Sequence, residues 1–338
     1  MTVTIGYDIG GAHLKIARIE RGVISAVRQI ACPLWQGLGH LSQALDEARG
    51  MTSGADQYAI TMTGELCEIF SSRRDGVEQI CNLAVAKLGP AAHFFMGLKG
   101  FGDRDAACAD PDAVGSANFI ATARLIAQRT SRALLIDMGS TTTDIIACDR
   151  PQGLTDAERL QTGELVYTGL TRTPVPSVTT RAMLLGQWQG LARDTFATMA
   201  DVRRVLGTLA AGADDHATAD GRGKSQNESL RRLARGFGRD GEMRHLEGWQ
   251  TAAAAIREQQ LASITDGALQ VLSRPGVKID QVVTAGIGFE EAAAVAQRLG
   301  LPNVTFADIA LASDTVRLAT TLHAPAVAVA LLLDRRAS

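Results

Sequence analysis
Leu134-Leu135-Ile136-Asp137-Met138-Gly139-Ser140-Thr141-Thr142-Thr143-Asp144-Ile145-Ile146-Ala147-Cys148 is the stretch whose reading decides the fold. An apolar run ends in Asp137, a Gly/hydroxyl turn follows, and a second apolar run starts at Ile145. Aliphatic and β-branched residues on both sides predict two buried strands joined by a tight turn. Gly139 allows a backbone conformation, or a close approach to a ligand, that a larger residue would block. Ser140, Thr141, Thr142 and Thr143 place hydroxyls and amides at that turn, the small donors a phosphate needs on a concave backbone. Asp137 and Asp144 carry carboxylates suited to a hydrated Mg²⁺ beside it.

The pattern occurs a second time at the N-terminus. Ile5-Gly6-Tyr7-Asp8-Ile9-Gly10-Gly11-Ala12-His13-Leu14-Lys15-Ile16-Ala17 aligns with it without a gap. Asp8 matches Asp137, Gly10 matches Gly139, and Lys15 falls where Asp144 does, with opposite charge. Two such units predict two related halves that face each other and grip an oligophosphate. Gly10, Gly11 and Ala12 then join Gly139 to Thr143 as phosphate-binding positions. Asp8 and Asp137 are the candidate Mg²⁺ ligands.

The remaining sequence constrains the function class. With 338 residues and 46% hydrophobic content the chain can build two domains with cores of their own. A net charge of −2 gives no reason to expect a nucleic-acid partner. Cys32, Cys67, Cys81, Cys108 and Cys148 are widely spaced and form no C-x-x-C pair, as expected of reduced thiols in a cytoplasmic protein. A strand begins at once at the N-terminus, so no signal peptide is expected. The apolar run Ala324–Leu333 is about half the length of a membrane span and reads as a core helix.

Along the chain, Thr2–Glu20 and Val23–Ile30 predict three strands, Leu41–Gly50 a helix, and Gln57–Thr63 a strand. A helix is expected to run on from Thr63-Gly64-Glu65. Glu65 would thereby lie at the carboxyl end of a strand, where open α/β sheets hold ligands. Ala113–Gln128 reads as an amphipathic helix and Arg150–Thr173 as a polar, hairpin-like region; Gly169 and Pro174 punctuate a turn at a candidate binding position, and Tyr167, Thr171 and Arg172 could face a ligand. Ala182–Leu209 reads as mostly helical, and Asp214–Ser225 as a polar loop. Its Gly223-Lys224-Ser225 imitates a P-loop, but Thr218 stands where the first glycine belongs and no apolar strand precedes it. In the basic stretch Leu230–Gly238, Arg235 could reach a substrate anion. Gln281–Ala285, Gly286-Ile287-Gly288 and Glu290–Leu299 predict a strand–turn–helix that could close over a planar group, with Asn303–Ala307 as a last strand. The expected domains are 1–130, with the helix 322–335 packing back on it, and 131–321, with a helical insertion at about 181–248.

The units Asp8–Lys15, Asp137–Asp144 and Gly286–Gly288, in this order, resemble the two phosphate motifs and the adenosine motif of the acetate kinase, sugar kinase, Hsp70 and actin superfamily. This implies an α/β, two-domain actin-like (ribonuclease H-like) fold with an interdomain cleft. Asp137–Asp144 and Tyr167-Thr168-Gly169-Leu170-Thr171-Arg172-Thr173-Pro174-Val175 look like the hydantoinase A/oxoprolinase family, whose enzymes are far longer. Thr61-Met62-Thr63-Gly64-Glu65-Leu66 and Phe196-Ala197-Thr198-Met199-Ala200-Asp201-Val202 are similar to tetrahydromethanopterin-linked one-carbon pathway proteins. That resemblance implies a Mg²⁺-dependent transferase of methanofuran-type biosynthesis. It would condense an (aminomethyl)furan-methyl diphosphate with the phenol of a glutamyl-tyramine or tyrosine and release diphosphate. His13, Glu65 and Asp144 are its candidate bases, beside Asp8, Lys15 and Asp137. The same loops would equally serve an ATP-dependent small-molecule kinase or an oxoprolinase-like ATPase, with Gly286 and Gly288 at the nucleotide. A homo-oligomer is compatible with either reading.

Overall fold
The computed structural model describes residues 2–336. Strands β1 (Val3–Ile9), β2 (His13–Glu20), β3 (Val23–Ala31), β4 (Gln57–Met62), β5 (Ala92–Phe95) and β6 (Phe101–Gly102) form one sheet in the order β3-β2-β1-β4-β5-β6. Strands β7 (Ala133–Met138), β8 (Thr143–Ala147) and β9 (Leu165–Val166) join β12 (Gln281–Ala285) and β13 (Asn303–Thr305) in a second sheet, β13-β12-β7-β8-β9. In each sheet three consecutive antiparallel strands are followed by two that run parallel to the first. The two halves therefore share one topology, that of the actin-like fold, with the Asp-x-Gly turns at the same place in each.

Strand alternation orients the two aspartates. Ile5, Tyr7 and Ile9 face the outer core of the first half. Thr4, Gly6 and Asp8 must face the other way. Leu134, Ile136 and Met138 likewise enter the outer core of the second half, whereas Leu135, and with it Asp137, faces inward. Between the inner faces lies a shared core built from the helices Asn118–Arg129 and Ala324–Asp334. The second of these is apolar all round and buried throughout, as a helix must be when it is enclosed on every side. It packs on β1, β2 and β4, and Thr4 Oγ1 donates to Asp334 Oδ1 at 2.8 Å. No helix of the described residues is long and apolar enough to cross a membrane.

Gly6 permits this packing, because a Cβ there would overlap the carbonyl oxygen of Ala326 and meet Ala330 Cβ at 2.8 Å. Gly6→Ala is therefore expected to push the helix off β1 and cost about 3 kcal/mol, read as a lower denaturant midpoint.

Three expectations are corrected. No helix runs on from Glu65; the chain is irregular up to Ser72, whose side chain caps the helix Arg73–Leu88. That helix lies directly over the Glu65 backbone, since a Cβ on Gly76 would overlap Glu65 O. Ala182–Leu209 is not mostly helical. It holds the hairpin β10 (Arg181–Leu184) and β11 (Gln187–Gly190), turned at Leu185 and Gly186, both at positive φ. Only Met199–Leu206 is helical there, begun by the Thr198/Asp201 capping box. Arg150–Thr173 is not simply hairpin-like but contains the helix Asp156–Thr162. The hairpin, the helix Gln226–Gly236 and the start of the helix Leu246–Leu272 enclose a separate core around Val202, Leu233 and Trp249.

Candidate functional site
Asp8 is fully buried at the end of β1, opposite Lys15 on β2. Lys15 Nζ donates to Asp8 Oδ2 at 2.9 Å, while Asp8 Oδ1 is buried with no partner among the described residues. Burial works against the Lys15 charge, but Asp8 beside it and Asp137 across from it outweigh that and hold its pKa up. Asp137 occupies the equivalent place at the end of β7. Burial, then the Asp144 carboxylate, raise its pKa to about 7; Lys15 opposes the rise and Asp8 adds to it. Asp8, Lys15 and Asp137 thus act on one another, and the two halves bring their matching turns together.

Each turn presents amides. Gly10 and Gly139 close the turns through the carbonyls of His13 and Thr142, at 3.0 and 2.9 Å. The amides of Gly11 and Ala12 in one turn, and of Ser140, Thr141 and Thr142 in the other, donate to no backbone carbonyl among the described residues. The Ser140 and Thr141 hydroxyls lie 3.4 Å apart and are part-buried. Thr143 is different, because its hydroxyl is buried and donates to Thr168 O at 2.7 Å, so it braces the turn. Gly169 has a supporting role too. A Cβ there would lie 2.5 Å from Ser140 C, and the amides of Leu170, Thr171 and Arg172 bond to Gly139 O and Ser140 O at 2.9 to 3.2 Å. The Arg172 side chain is exposed, close enough for its charge to act on His216 and Cys67.

Other sequence candidates are engaged elsewhere. Asp144 is ion-paired with Arg159, whose guanidinium lies 4.0 Å over the Phe119 ring. Glu65 is fully buried and accepts from Ser116 Oγ at 2.9 Å; burial raises its pKa. Asp144 is thus held by Arg159, whereas Glu65 keeps its Oε2 buried and without a hydrogen-bond partner among the described residues. Arg235 pairs with Asp220 at 3.6 Å and lines a cavity of about 600 Å³ with Leu184, Phe196, Arg239, His245 and Trp249, a wall that includes none of Asp8, Lys15 and Asp137. Gly286 has φ +79°, and a Cβ there would overlap Asp137 Oδ1 and Met138 O; one on Gly288 would lie 2.5 Å from Met138 Sδ. Both glycines serve the close approach of this turn to β7.

Three residues enter that sequence reasoning missed. His323 stands at the N-cap position of the buried helix Ala324–Asp334 without a side-chain capping bond, its Nδ1 without a partner among the described residues. Burial, then the charges of Lys15 and His13, push its pKa down to about 3, so its ring is neutral. Asp215 Oδ2 lies 2.5 Å from His13 Nε2, and the His216 ring is edge-on to His13 at 5.8 Å. A lone His between two helices and a polar loop carry no periodic signal, so only the folded chain reveals these neighbours.

The chain is 30% identical over 290 residues to (4-{4-[2-(gamma-L-glutamylamino)ethyl]phenoxymethyl}furan-2-yl)methanamine synthase of Methanocaldococcus jannaschii, covering 85% of this chain and 86% of that protein. The protein of the same name from Methanococcus vannielii is 33% identical over 105 residues, 30% of this chain and 47% of that one. Among solved structures, the Acidaminococcus fermentans (R)-2-hydroxyglutaryl-CoA dehydratase component A aligns at 13% identity with a TM-score of 0.47, covering 100% of this chain and 99% of that one. The hydantoinase/oxoprolinase family model matches residues 56–330, and with the paired Asp-x-Gly turns already in view, the chain belongs to the hydantoinase/oxoprolinase family.

Proposed function
We propose that this chain is a synthase of methanofuran-type biosynthesis. It joins an (aminomethyl)furan-methyl diphosphate, through the methylene carbon, to the phenol oxygen of a glutamyl-tyramine or tyrosine, and diphosphate leaves. The meeting of Asp8, Lys15 and Asp137 at two facing glycine turns carries this reading. The product name of the relatives, a phenoxymethyl furan, supports it.

The chemistry suits the residues. A furfuryl carbon can carry positive charge because the furan ring delocalises it, so the barrier lies in the charge growing on the departing diphosphate. Lys15 sets a cation at that place, and the amides of Gly11, Ala12, Ser140, Thr141 and Thr142 are donors fixed before the reaction begins. Mg²⁺ fits the donor set. Asp8 Oδ1 is an orphaned buried oxygen and Asp137 a second carboxylate, the one or two such ligands that Mg²⁺ takes when phosphate and water supply the rest. When bound it would neutralise the leaving group.

Incubating the protein with Mg²⁺, (aminomethyl)furan-methyl diphosphate and tyramine should release diphosphate and form an ether without ATP, followed by phosphorus NMR and mass spectrometry. Turnover only with ATP, yielding ADP, would replace this reading with the kinase or ATPase one. Binding without turnover would end both.

A further inference from the structure
The loop between the helices Met199–Leu206 and Gln226–Gly236 is pinned from both sides. Asp214 pairs with Arg204, and with Lys224 at 3.7 Å. Asp220 pairs with Arg232 at 3.0 Å and Arg235 at 3.6 Å. Between these anchors the chain presents Asp215 and His216 to the N-terminal turn. Asp214 Oδ1 also accepts from the His216 amide at 3.2 Å, which fixes the backbone there. A carboxylate carried by the second half therefore reaches, at 2.5 Å, a histidine on the phosphate turn of the first.

The geometry has a chemical consequence. An ionised carboxylate only accepts hydrogen bonds. Burial opposes the Asp215 charge, but the hydrogen bond and charge of His13 outweigh it and hold the pKa below the usual range. In its neutral form the His13 ring would donate its Nε2 proton to that carboxylate, which leaves Nδ1 as the acceptor. No described residue bonds to Nδ1.

We propose that Asp215 is the positioning residue of a His13–Asp215 dyad, in which His13 Nδ1 takes the phenol proton of the acceptor. The assignment rests on the transferase reading above. The proton passes from the phenol oxygen to Nδ1. An oxygen electron pair forms the new C–O bond to the furan methylene, and the old C–O bond breaks with its pair leaving on diphosphate. With a phenol pKa of about 10, little phenolate exists at neutral pH, so a held base matters. The insertion thus completes the site only when the two halves meet.

The test uses the full chain as wild type, Asp215→Ala, Asp215→Glu and His13→Gln. With tyramine as acceptor, Asp215→Ala should lower kcat about a hundredfold with KM little changed. Asp215→Glu should recover part of the loss. With p-nitrophenol, a far more acidic acceptor, the losses in Asp215→Ala and His13→Gln should shrink, because an acceptor already ionised needs no base. Nitrogen-15 NMR of histidine-labelled protein should find the neutral His13 proton on Nε2 in wild type and redistributed in Asp215→Ala; His13→Gln assigns the signal. Equal losses with both acceptors, or the same tautomer in both proteins, would overturn the dyad. Should wild type release no diphosphate at all, the transferase reading and the proton transfer fall together, while the tautomer still decides the pairing itself.

Discussion
Lys15→Met should lower turnover by about three orders of magnitude, roughly 4 kcal/mol of barrier, and should destabilise the fold as well. The two effects have separate causes. In the proposed reaction Lys15 supplies the cation where charge develops on the leaving diphosphate, so its removal would be felt in the transition state. It is also the hydrogen-bond donor to a fully buried carboxylate, Asp8, whose other oxygen lacks a partner among the described residues. Breaking one side of such a pair leaves an uncompensated charge, which costs about 3–5 kcal/mol. Replacing both, in Asp8→Asn with Lys15→Met, should restore most of the stability and none of the turnover. Chemical denaturation reads the first and diphosphate release the second. Turnover within about twofold of wild type, roughly 0.4 kcal/mol, would remove Lys15 from the site.

The two Asp-x-Gly turns were legible because their information is local and repeated. A short apolar run, an acid, a glycine and small polar residues specify a strand, its end and a turn, whatever surrounds them. The facing of the halves followed from the repeat, and strand alternation then sends Asp8 and Asp137 inward. What was not legible depended on partners distant in sequence. Asp144 stands opposite Asp137 in the ladder and reads as its equal, yet Arg159 from the following helix neutralises it. Glu65 follows the parallel strand β4, where a ligand residue is expected, yet the helix Arg73–Leu88 lies over its backbone and one of its carboxylate oxygens accepts from Ser116. The Gly286-Ile287-Gly288 turn shows a fingerprint whose glycines serve packing against Met138. In Ala182–Leu209 composition favoured a helix, but Leu185-Gly186 form a hairpin turn, and two positive φ angles in a row outweigh propensity.

Asp137→Asn is expected to make the protein more stable at pH 8 while abolishing its activity. In the folded chain the Asp137 carboxyl titrates at about 7, raised chiefly by burial and next by Asp144; in the unfolded chain it titrates at about 3.9. The folded state holds the proton more tightly, so this group's contribution is fully present below about pH 4 and is lost as pH rises through 7. At pH 8 the wild type bears an ionised carboxylate it would rather protonate. About three pH units correspond to about 4 kcal/mol, and since the side chain keeps some contact with water about half of that is expected, near 2 kcal/mol. The amide is the neutral analogue, so the gain for Asp137→Asn should grow from nothing near pH 4 to its full size above pH 7. Guanidinium denaturation across that range measures it. Under the proposed reaction activity should follow the opposite course, because an ionised carboxylate at this position is what a cation-bearing diphosphate would require. Wild-type turnover should rise as pH passes 7, and Mg²⁺ with diphosphate should raise the wild-type Tm at pH 8 but not that of Asp137→Asn. A variant less stable than wild type at pH 8 would mean that the ionised carboxylate already has a compensating partner in the folded chain. The strain at this position would then be structural in origin and unrelated to binding.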